Sequence, residues 1–450
     1  MKRSDMTRRS FVRGMSALAG LTSFAGCCGP AITKRRSANM LLSHACIGTG
    51  NMAWADLCGL KSHPDIHITA LCDVDANYLA KAKAACPDAR IYRNAFEMFE
   101  AEGDRIDSVN VSTPDHTHAQ YVLEALRRGL HVYGQKPLCH ELEDCRKIET
   151  LAAEKGVATQ MGTQIAAYEC DRQTVAAIKS GKIGEIRHVW LFSTRRGEPK
   201  KEYFAWPLKA DPVPATLDWK TWLGPAPYRP YSEKVYHPFT WRKWRDFGTS
   251  WLGDLGLHLM SPVWLGMELG KNGPTSVVAE VSDDDWTPEQ RAQYWPSMSH
   301  LTWTFPGVKA TGGKPFKVEW CDGFDNVSFR IEPKFLPPAF LQDIAARTPH
   351  GKLPLQGRVI EGTEGWILST HYVKQPYIVL KNGKTIVDAP DVATVCSHWH
   401  EFVNCCLQGG KAQSDFGWTA RMTEMSLMGN AAQLTPGKVR NWNSQKGVLA

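Results

Sequence analysis

Short apolar runs alternate with amphipathic stretches in the part of the chain that follows residue 40. Continuous apolar runs of this length predict buried strands, whereas apolar residues recurring three and four positions apart predict helices. We predict strands over residues 40–47, 68–73, 107–112, 131–133 and 157–161, and helices after Ala55 and over residues 119–128 and 142–155. Strands that alternate with helices in this way are typical of an α/β domain with a doubly wound parallel sheet.

Beyond Gly162 the pattern changes, and strands follow one another with few helices between them. A helix over residues 171–180 ends at Gly181, which is a suitable C-cap. Predicted strands then span residues 186–193, 276–281, 300–305, 316–320, 358–361 and 377–380, a hairpin-type turn occupies 381–384, and helices return over 398–407 and 420–434. We therefore predict a first domain over residues 38–161 and a second, α+β domain over residues 162–450. The second domain has a mostly antiparallel sheet, and its C-terminal helices pack back against the body.

The net charge of the chain is confined to its beginning. Residues 1–36 hold eight Lys or Arg and one Asp, whereas the rest of the 450 residues hold 45 basic and 45 acidic side chains. The formal charge of +7 therefore belongs to the first segment alone. A body without net charge does not attract phosphates, which argues against nucleic acid as a partner.

Residues 1–37 have the features of a twin-arginine export signal. Arg8 and Arg9 precede the apolar stretch 15–25, which is far too short to span a membrane. Residues 24–27 are similar to a lipoprotein cleavage site, so the leader is either cleaved with acylation of Cys27 or simply removed nearby. We expect export of the folded protein to the periplasm or to a membrane, with Cys27 as the lipid anchor. Because folding then occurs in a reducing cytoplasm, the 13 cysteines are not expected to form a disulfide framework.

A glycine-rich turn follows the first predicted strand. Gly48 allows a tight turn, Gly50 lets backbone N–H groups approach a pyrophosphate, and Ala53 allows close packing of helix on strand. The second strand ends at Asp73, 25 residues after Gly48, near the spacing expected for a carboxylate that binds a ribose 2′-hydroxyl. Asp73 would repel a 2′-phosphate, and no Lys or Arg follows it before Lys81, so we predict NAD rather than NADP. The alternative role of Asp73 is that of a turn or N-cap carboxylate.

Three residues carry the predicted chemistry. Lys136 follows the strand 131–133, and ligands of open parallel sheets collect beyond the carboxyl ends of the strands. Asp254 and His258 are four residues apart, so in a helix they share a face and the carboxylate can orient the imidazole. Such a pair suits a general base for a sugar hydroxyl. The structural alternatives are a solvated loop lysine and a core histidine.

Four motifs in this order resemble the glucose-fructose oxidoreductase/inositol dehydrogenase (Gfo/Idh/MocA) family of NAD(P)-dependent sugar oxidoreductases. They are Gly-Thr-Gly-Asn-Met-Ala at 48–53, Ser-Thr-Pro-Asp-His-Thr-His at 112–118, Gln-Lys-Pro-Leu at 135–138 and Asp-Leu-Gly-Leu-His at 254–258. The resemblance covers roughly residues 40–430 and implies a Rossmann domain followed by a domain built on a large open sheet. It implies that the catalytic residues are Lys136, Asp254 and His258, without a metal ion. It also implies cofactor contacts from Gly48, Gly50, Asn51, Met52, Asp73, Thr113, Pro114, His116, His118, Gln135, Lys136 and Gln164.

The chain departs from the family pattern at two positions. Gln135 stands where the family has a glutamate before the lysine, and Ser261 stands where an acid commonly follows the histidine. The first change removes an acidic neighbour of Lys136. The second concerns the proton relay beyond His258.

The segment 203–244 is rich in proline and aromatic residues, and a long irregular loop inside a domain is usually functional. Its tryptophans are Trp206, Trp219, Trp222, Trp241 and Trp244. Tryptophan faces stack on the apolar faces of sugar rings, but for any single one of them packing of the loop is the favoured interpretation. Arg242 and Arg245 could bind an acidic sugar or form structural pairs.

These features predict an exported oxidoreductase that acts on a sugar, a sugar derivative or a cyclitol. His258 would accept the hydroxyl proton, Asp254 would hold the imidazole, and Lys136 would stabilise the reacting oxygen. Because no nicotinamide pool exists outside the cytoplasm, the cofactor would stay bound through the cycle. One alternative is a redox-neutral NAD-dependent glycosidase or lyase that works through a transient keto-sugar, and another is a non-catalytic sugar-binding protein. Whether the chain forms a homo-oligomer is left open.

Overall fold

A computed structural model describes residues 41–195, 208–282, 287–323, 335–371, 375–382, 386–443 and 447–449. The predicted leader at residues 1–37, with Cys27, lies outside these ranges. Trp206 and residues 383–384 of the predicted hairpin turn also lie outside them.

A parallel sheet of six strands forms the first half of the fold. Its strands are β1 Leu42–Ile47, β2 Ile66–Cys72, β3 Arg90–Tyr92, β4 Ser108–Val111, β5 His131–Gly134 and β6 Thr159–Met161. They lie in the order β3-β2-β1-β4-β5-β6, and each neighbouring pair is parallel. This order confirms the predicted doubly wound sheet, with β1 in its middle.

Five helices connect these strands. They are α1 Met52–Lys61, α2 Ala76–Ala85, α3 Ala95–Glu102, α4 Asp115–Arg127 and α5 Leu142–Lys155. The bounds of α5 are those predicted, whereas α4 begins four residues before the predicted start. Pro114 is extended and caps α4, and the polar residues of the first turn hide the apolar period from which its start was inferred.

A second sheet of ten strands forms the other half. Its strands are β7 Ile186–Ser193, β8 Ser276–Val281, β9 Ser299–Phe305, β10 Phe316–Asp322, β11 Gln356–Gly362, β12 Gly365–Thr370, β13 Tyr377–Leu380, β14 Ile386–Asp388, β15 Arg440–Asn443 and β16 Val448–Leu449. They lie in the order β14-β13-β12-β11-β7-β10-β9-β8-β15-β16. β7 and β10 pair in parallel, and the other pairings are antiparallel, which confirms the mostly antiparallel sheet. β12 was not predicted, because it opens with glycine and its apolar residues are consecutive rather than alternating.

The helices of this half are α6 Glu169–Lys179, α7 Trp219–Leu223, α8 Leu257–Gly266, α9 Pro288–Arg291, α10 Phe340–Ala346, α11 His398–Gln408 and α12 Phe416–Gln433. A π-helical turn, Leu252–Gly256, leads directly into α8. The last two long helices pack against the first half: α11 packs on α1, and α12 packs on α5 and also on β8 of the second sheet. Among the helices that the structure describes, none is long and apolar enough to cross a membrane.

Candidate active site

A cleft of about 920 Å³ lies beyond the carboxyl ends of β1, β2, β4 and β5. This is where ligands bind in open parallel sheets. One wall consists of the glycine turn and the ends of these strands. The opposite wall comes from the segment rich in proline and aromatic residues, the aromatic loop (residues 208–244 of the described chain). It includes Trp222, Trp241 and Arg242.

The turn between β1 and α1 needs glycine at two positions. Gly48 has a φ of +88°, and a Cβ there would lie 2.5 Å from the carbonyl oxygen of Ser112. A Cβ on Gly50 would lie 2.6 Å from the ring of Tyr78, so this glycine makes room for an aromatic neighbour as well as for a ligand. Asn51 follows with a φ of 49° and directs the chain into α1. The N-terminus of α1 therefore faces the cleft with backbone amides suited to a pyrophosphate.

Asp73 lies beside this turn, and its carboxylate already accepts three hydrogen bonds from the protein. Its Oδ2 accepts hydrogen bonds from the Thr49 amide at 2.7 Å and the Thr49 hydroxyl at 3.0 Å, and its Oδ1 accepts one from the Asp75 amide at 2.9 Å. Burial raises the pKa of Asp73 above its ordinary value despite these bonds. A carboxylate has about four acceptor sites, so Asp73 retains room for one ribose hydroxyl on Oδ1. It therefore fits both roles named above, the turn carboxylate and the ribose ligand.

The 112–118 motif divides into residues that line the cleft and residues that support it. Thr113, Pro114 and His118 line the cleft. The Nε2 of His118 lies 2.7 Å from the Thr113 carbonyl and its Nδ1 lies 2.6 Å from the Pro137 carbonyl, so the ring ties the start of α4 to the turn after Lys136.

Two predicted cofactor contacts lie behind the wall of the cleft. His116 is buried against Trp222 and Phe247, and its Nε2 lies 3.1 Å from the Trp222 carbonyl. The amide of Gln164 donates to the Met52 sulfur at 3.5 Å, and it is Met52 that lines the cleft. Neither His116 nor Gln164 is among the residues that line the cleft in the described part of the chain. The motif order alone did not reveal this, because neighbouring residues of a helix turn face different directions.

A carboxylate buried beneath position 135 explains why glutamine, and not glutamate, fits there. Asp56, on α1, accepts hydrogen bonds from Gln135 Nε2 and Ser112 Oγ at 2.8 Å each, from Trp399 Nε1 at 2.9 Å and from Tyr133 at 3.4 Å. Burial raises the pKa of Asp56 against these four bonds. A glutamate at position 135 would place a second carboxylate against Asp56, so the amide suits this surrounding.

Lys136 and Asp254 form an ion pair at the base of the cleft. Burial alone would raise the pKa of Asp254, but Lys136 and then Arg242 outweigh it and hold the pKa well below its ordinary value. The Arg242 Nε lies 3.3 Å from Asp254 Oδ1, and Arg195 Nη1 lies 3.7 Å from Asp254 Oδ2. The structure thus brings Asp254 to the lysine. This differs from the expected hydrogen bond between Asp254 and the His258 imidazole.

His258 lies in the first turn of α8, beyond the π-helical turn that carries Asp254. Its side chain is buried, and its Nδ1 has no hydrogen-bond partner among the described residues. The ring centroid of His371 is 5.4 Å away. Burial, followed by the charges of Lys136 and His371, holds the pKa of His258 well below its ordinary value of 6.5. The imidazole is therefore neutral at pH 7 and able to accept a proton.

The π-helical turn accounts for the departure from the expected pairing. A π-helix hydrogen-bonds to the fifth residue along instead of the fourth, so residues four apart no longer stack as in an α-helix. The sequence signal, two residues at i and i+4, assumed an α-helix over the whole of 251–258. π-Helical turns are frequent at functional sites.

The aromatic loop is held together by its own packing. Trp219 stacks on Trp222 with ring centroids 4.7 Å apart, and Trp244 is fully buried against Tyr236 and Tyr294. Packing is therefore the role of Trp219 and Trp244. Trp222 and Trp241 belong to the same cluster of buried side chains and also line the cleft.

Sequence reasoning did not identify three further residues that line the cleft, Tyr78, Arg93 and His237, or Arg195, which contacts Asp254 without lining the cleft. Arg93 donates to the carbonyls of Val74 at 2.6 Å and Thr216 at 2.8 Å and lies at the end where Asp73 is found. His237 lies 3.0 Å from Asp75. These residues come from separate segments, so no local motif marks them.

The parallel sheet, the glycine turn and the cleft define a dinucleotide-binding protein with an ion pair at the reactive end. Two family models match the chain: one for an oxidoreductase family with an NAD-binding Rossmann fold at residues 42–163, and one for the C-terminal alpha/beta domain of the same family at residues 189–303. Together they cover more than half of the 450 residues. The chain belongs to the Gfo/Idh/MocA oxidoreductase family, and its cofactor domain is the NAD-binding domain of that family.

Curated relatives match over shorter stretches. Inositol 2-dehydrogenase of Rubrobacter xylanophilus is 30% identical over 143 residues, 31% of this chain and 40% of the relative. The 2,7-anhydro-N-acetylneuraminate hydratase of Escherichia coli is 31% identical over 102 residues, 22% of this chain and 27% of the relative. Similar curated proteins are matched over 27 to 44% of their length.

The whole fold is similar to that of an inositol dehydrogenase homolog from Azotobacter vinelandii, solved with NADH and myo-inositol. The TM-score is 0.60, the sequence identity is 14%, and the match covers 90% of this chain and 98% of that one. At this identity the similarity concerns the fold. It extends over most of both chains.

Proposed function

We propose that this protein oxidises a hydroxyl group of a sugar, a sugar derivative or a cyclitol with NAD. The observation that carries the proposal is the ion pair of Lys136 with Asp254, which lies at the end of β5 with the neutral His258 one helical turn further on. A cation that can hydrogen-bond an oxygen and a base that can take its proton are the two groups that alcohol oxidation needs.

Three residues of the chain have separate roles in the proposed reaction. His258 accepts the proton of the reacting hydroxyl, because its lowered pKa keeps it neutral. Lys136 donates a hydrogen bond to the same oxygen and stabilises the negative charge that develops there. Asp254 orients Lys136, a role that replaces the expected one of holding the imidazole. When bound, NAD supplies the acceptor for the hydride that leaves the carbon.

The residues around the glycine turn fit NAD. Gly48 and Gly50 admit the backbone approach, and Asp73 has an acceptor site for a ribose hydroxyl and a charge that disfavours a 2′-phosphate. Thr113, Pro114 and Gln135 complete the wall on the side of β4 and β5.

A redox-neutral reaction is a second candidate. It is supported by the similarity to the Escherichia coli hydratase, whose name describes no net oxidation. In such a reaction the same three residues would oxidise a hydroxyl transiently and later reverse the step, so the cofactor would end each cycle unchanged.

We also propose that the protein is exported through the twin-arginine route and retains its cofactor. The support is the run around Arg8 and Arg9 and the confinement of the net charge to residues 1–36. Outside the cytoplasm no free cofactor replaces one that is lost, so a bound NAD that is regenerated within the site would be required.

Product analysis tests the proposed function. Purified protein is incubated with a panel of sugars, cyclitols and glycosides, and the products are identified by NMR. A keto-sugar with reduced cofactor supports the oxidoreductase, and an eliminated or hydrated product with unchanged cofactor supports the redox-neutral reaction. In parallel, the denatured protein is assayed for released dinucleotide. Unchanged substrates throughout the panel, together with no bound dinucleotide, would contradict both candidates.

A further inference from the structure

Positive charge is in excess around Asp254. Lys136, Arg242 and Arg195 all lie within 4 Å of this one carboxylate. The only other carboxylate lining this end of the cleft in the described part of the chain is Asp115, which accepts hydrogen bonds from the Thr249 amide at 3.1 Å and the Thr249 hydroxyl at 2.6 Å. Among the described residues, three cations therefore contact Asp254, with Asp115 as the one further carboxylate; Arg195 reaches Asp254 from outside the lining of the cleft.

The two arginines are held in place by aromatic rings. The guanidinium of Arg242 lies 4.2 Å from the ring centroid of Trp241 and 4.6 Å from that of Phe239, and the guanidinium of Arg195 lies 4.7 Å from the ring centroid of Trp251. Stacking occupies the faces of a guanidinium and leaves its edge N–H groups free to bind an anion. The side chain of Arg242 is only 18% exposed, so its charge is costly unless a partner shares it.

The pyrophosphate of the cofactor does not supply that partner. Its place is at the glycine turn after β1, whereas Lys136 follows β5. β4 lies between these strands, so the two points are about 10 Å apart across the sheet. Lys136 and Arg242 line the end of the cleft where a substrate would meet the reactive part of the cofactor, and Arg195 contacts Asp254 beside them.

We infer that the substrate carries an oxyanion, a carboxylate or a phosphate on the sugar, and that Arg242 and Arg195 bind it. This inference rests on the proposed function, since it names the substrate class of the same site. Arginine matches both groups with two parallel hydrogen bonds, and such charge-assisted bonds discriminate strongly against a neutral analogue. Arg242 and Arg195 are thus specificity-determining residues, and Asp254 keeps them near the lysine.

The chain offers a matched control three residues along the same loop. Arg245 donates to the carbonyl of Arg291 at 3.2 Å, and its guanidinium lies 5.8 Å from the Trp295 ring centroid. Arg195 contacts Asp254, whereas the side-chain contacts of Arg245 within the described residues are with Arg291 and Trp295, away from that carboxylate. Arg245→Gln therefore removes one arginine of the loop without touching the cationic group at Asp254.

The test compares sugars that differ only in charge. Methyl glycosides of gluco, galacto and manno configuration are each used as the neutral sugar, the uronate and the 6-phosphate, with the full-length protein and its bound cofactor. We expect kcat/KM for one anionic form to exceed that of its neutral partner by about tenfold or more, the effect of one charge-assisted hydrogen bond. The uronate and phosphate series show which oxyanion is used. In Arg242→Gln and Arg195→Gln the anionic advantage should fall by about tenfold or more, and in Arg245→Gln it should remain.

Equal or better turnover of the neutral sugars, or an anionic advantage that survives in Arg242→Gln, would overturn the inference and leave the proposed function intact. Dissociation constants from tryptophan fluorescence separate the two claims, because Trp222 and Trp241 line the cleft. Tighter binding of anionic sugars without any turnover supports the charge preference and contradicts the oxidoreductase. Retention of bound dinucleotide by each variant verifies that the cofactor domain is folded.

Discussion

The ion pair of Lys136 and Asp254 contributes little to stability, and in the proposed reaction its value is catalytic. Both side chains are largely buried, with 10% and 17% of their surfaces exposed. Burying two charges costs free energy that their attraction only partly returns, so apolar residues of the same volume would stabilise the fold as well. In the proposed reaction the pair orients the ammonium group of Lys136 next to the reacting oxygen, and His258 acts as the base.

Substitution of these residues should affect turnover far more than cofactor binding. We expect Lys136→Ala and His258→Ala each to lower kcat by about 10²- to 10⁴-fold, since each removes a group that touches the reacting oxygen. Asp254→Asn should cost less than either, because it acts through the lysine. Rates come from single-turnover kinetics, and dinucleotide released on denaturation reports cofactor occupancy. A His258→Ala protein that turns over like the wild type would remove His258 from the mechanism, and one that loses its cofactor or its fold would make it a structural core residue.

The pH dependence of catalysis should report the lowered pKa of His258. The base must be neutral, so activity is full above its pKa and falls as pH drops through it. Burial and the charge of Lys136 place that pKa well below 6.5, and Lys136 and Arg242, against the effect of burial, hold the pKa of Asp254 well below its ordinary value. The acid limb of kcat/KM should therefore lie below pH 6.5, and it should be absent from the residual activity of His258→Asn. An acid limb at or above the ordinary histidine value would show that another group is titrating or that His258 is solvated.

At the scale of elements, helix α11 packs on helix α1, which follows the glycine turn. Gly59, inside α1, leaves room for the ring of Trp399, since a Cβ there would lie 2.3 Å from that ring. Trp399 in turn donates to Asp56, which also receives Gln135. Gln135, the neighbour of Lys136, thus shares its hydrogen-bond acceptor with Trp399, which lies more than 260 residues further along the chain.

Trp399→Phe should weaken this connection while preserving the packing of the ring. The variant leaves a buried carboxylate with one donor fewer, which costs about 1 to 3 kcal/mol of unfolding free energy. Denaturant unfolding of the variant measures the loss, with Trp54→Phe as the control because Trp54 is a half-buried tryptophan of α1 that packs against the same cluster. Unfolding midpoints that are equal in the two variants would indicate that the Trp399 hydrogen bond contributes nothing beyond packing.

Local patterns predicted five of the six strands of the first sheet, the glycine turn and the position of Lys136 after β5, because each depends on a few neighbouring residues; they missed the short, largely exposed β3 and the helices α2 and α3 on either side of it. They did not predict that Asp254 pairs with Lys136, since the π-helical turn is invisible to a period of 3.6 residues. They also missed Asp56, Arg93 and Arg195. These side chains meet the site through tertiary packing, and a single sequence carries no local signal for such contacts.

At the scale of the whole molecule, net charge separates the first 36 residues from the rest of the chain. The first 36 residues carry a net +7 and the remaining chain carries none. A short positive segment followed by an apolar stretch is typical of an export signal. A remaining chain without net charge has no long-range field that would attract nucleic acid or anionic membranes. The excess of cations around Asp254 is therefore a local arrangement and does not reflect a basic protein.

Export can be tested through the leader and the bound cofactor together. We expect Arg8→Lys combined with Arg9→Lys to keep the protein in the cytoplasm with an intact N-terminus, because the signal depends on the arginine pair. The wild type should be recovered outside the cytoplasm without about its first 36 residues and with dinucleotide bound, since cofactor is acquired before transport of the folded chain. Intact-mass measurement of periplasmic and membrane fractions decides between the two modes of processing: acyl mass on Cys27 identifies a lipoprotein, and an unmodified shortened chain identifies simple cleavage.

Lys2→Gln, which alters the charge of the predicted leader but not the arginine pair, should still be exported. Wild-type protein that starts at Met1 in every fraction would contradict export, and exported protein without dinucleotide would contradict retention of the cofactor.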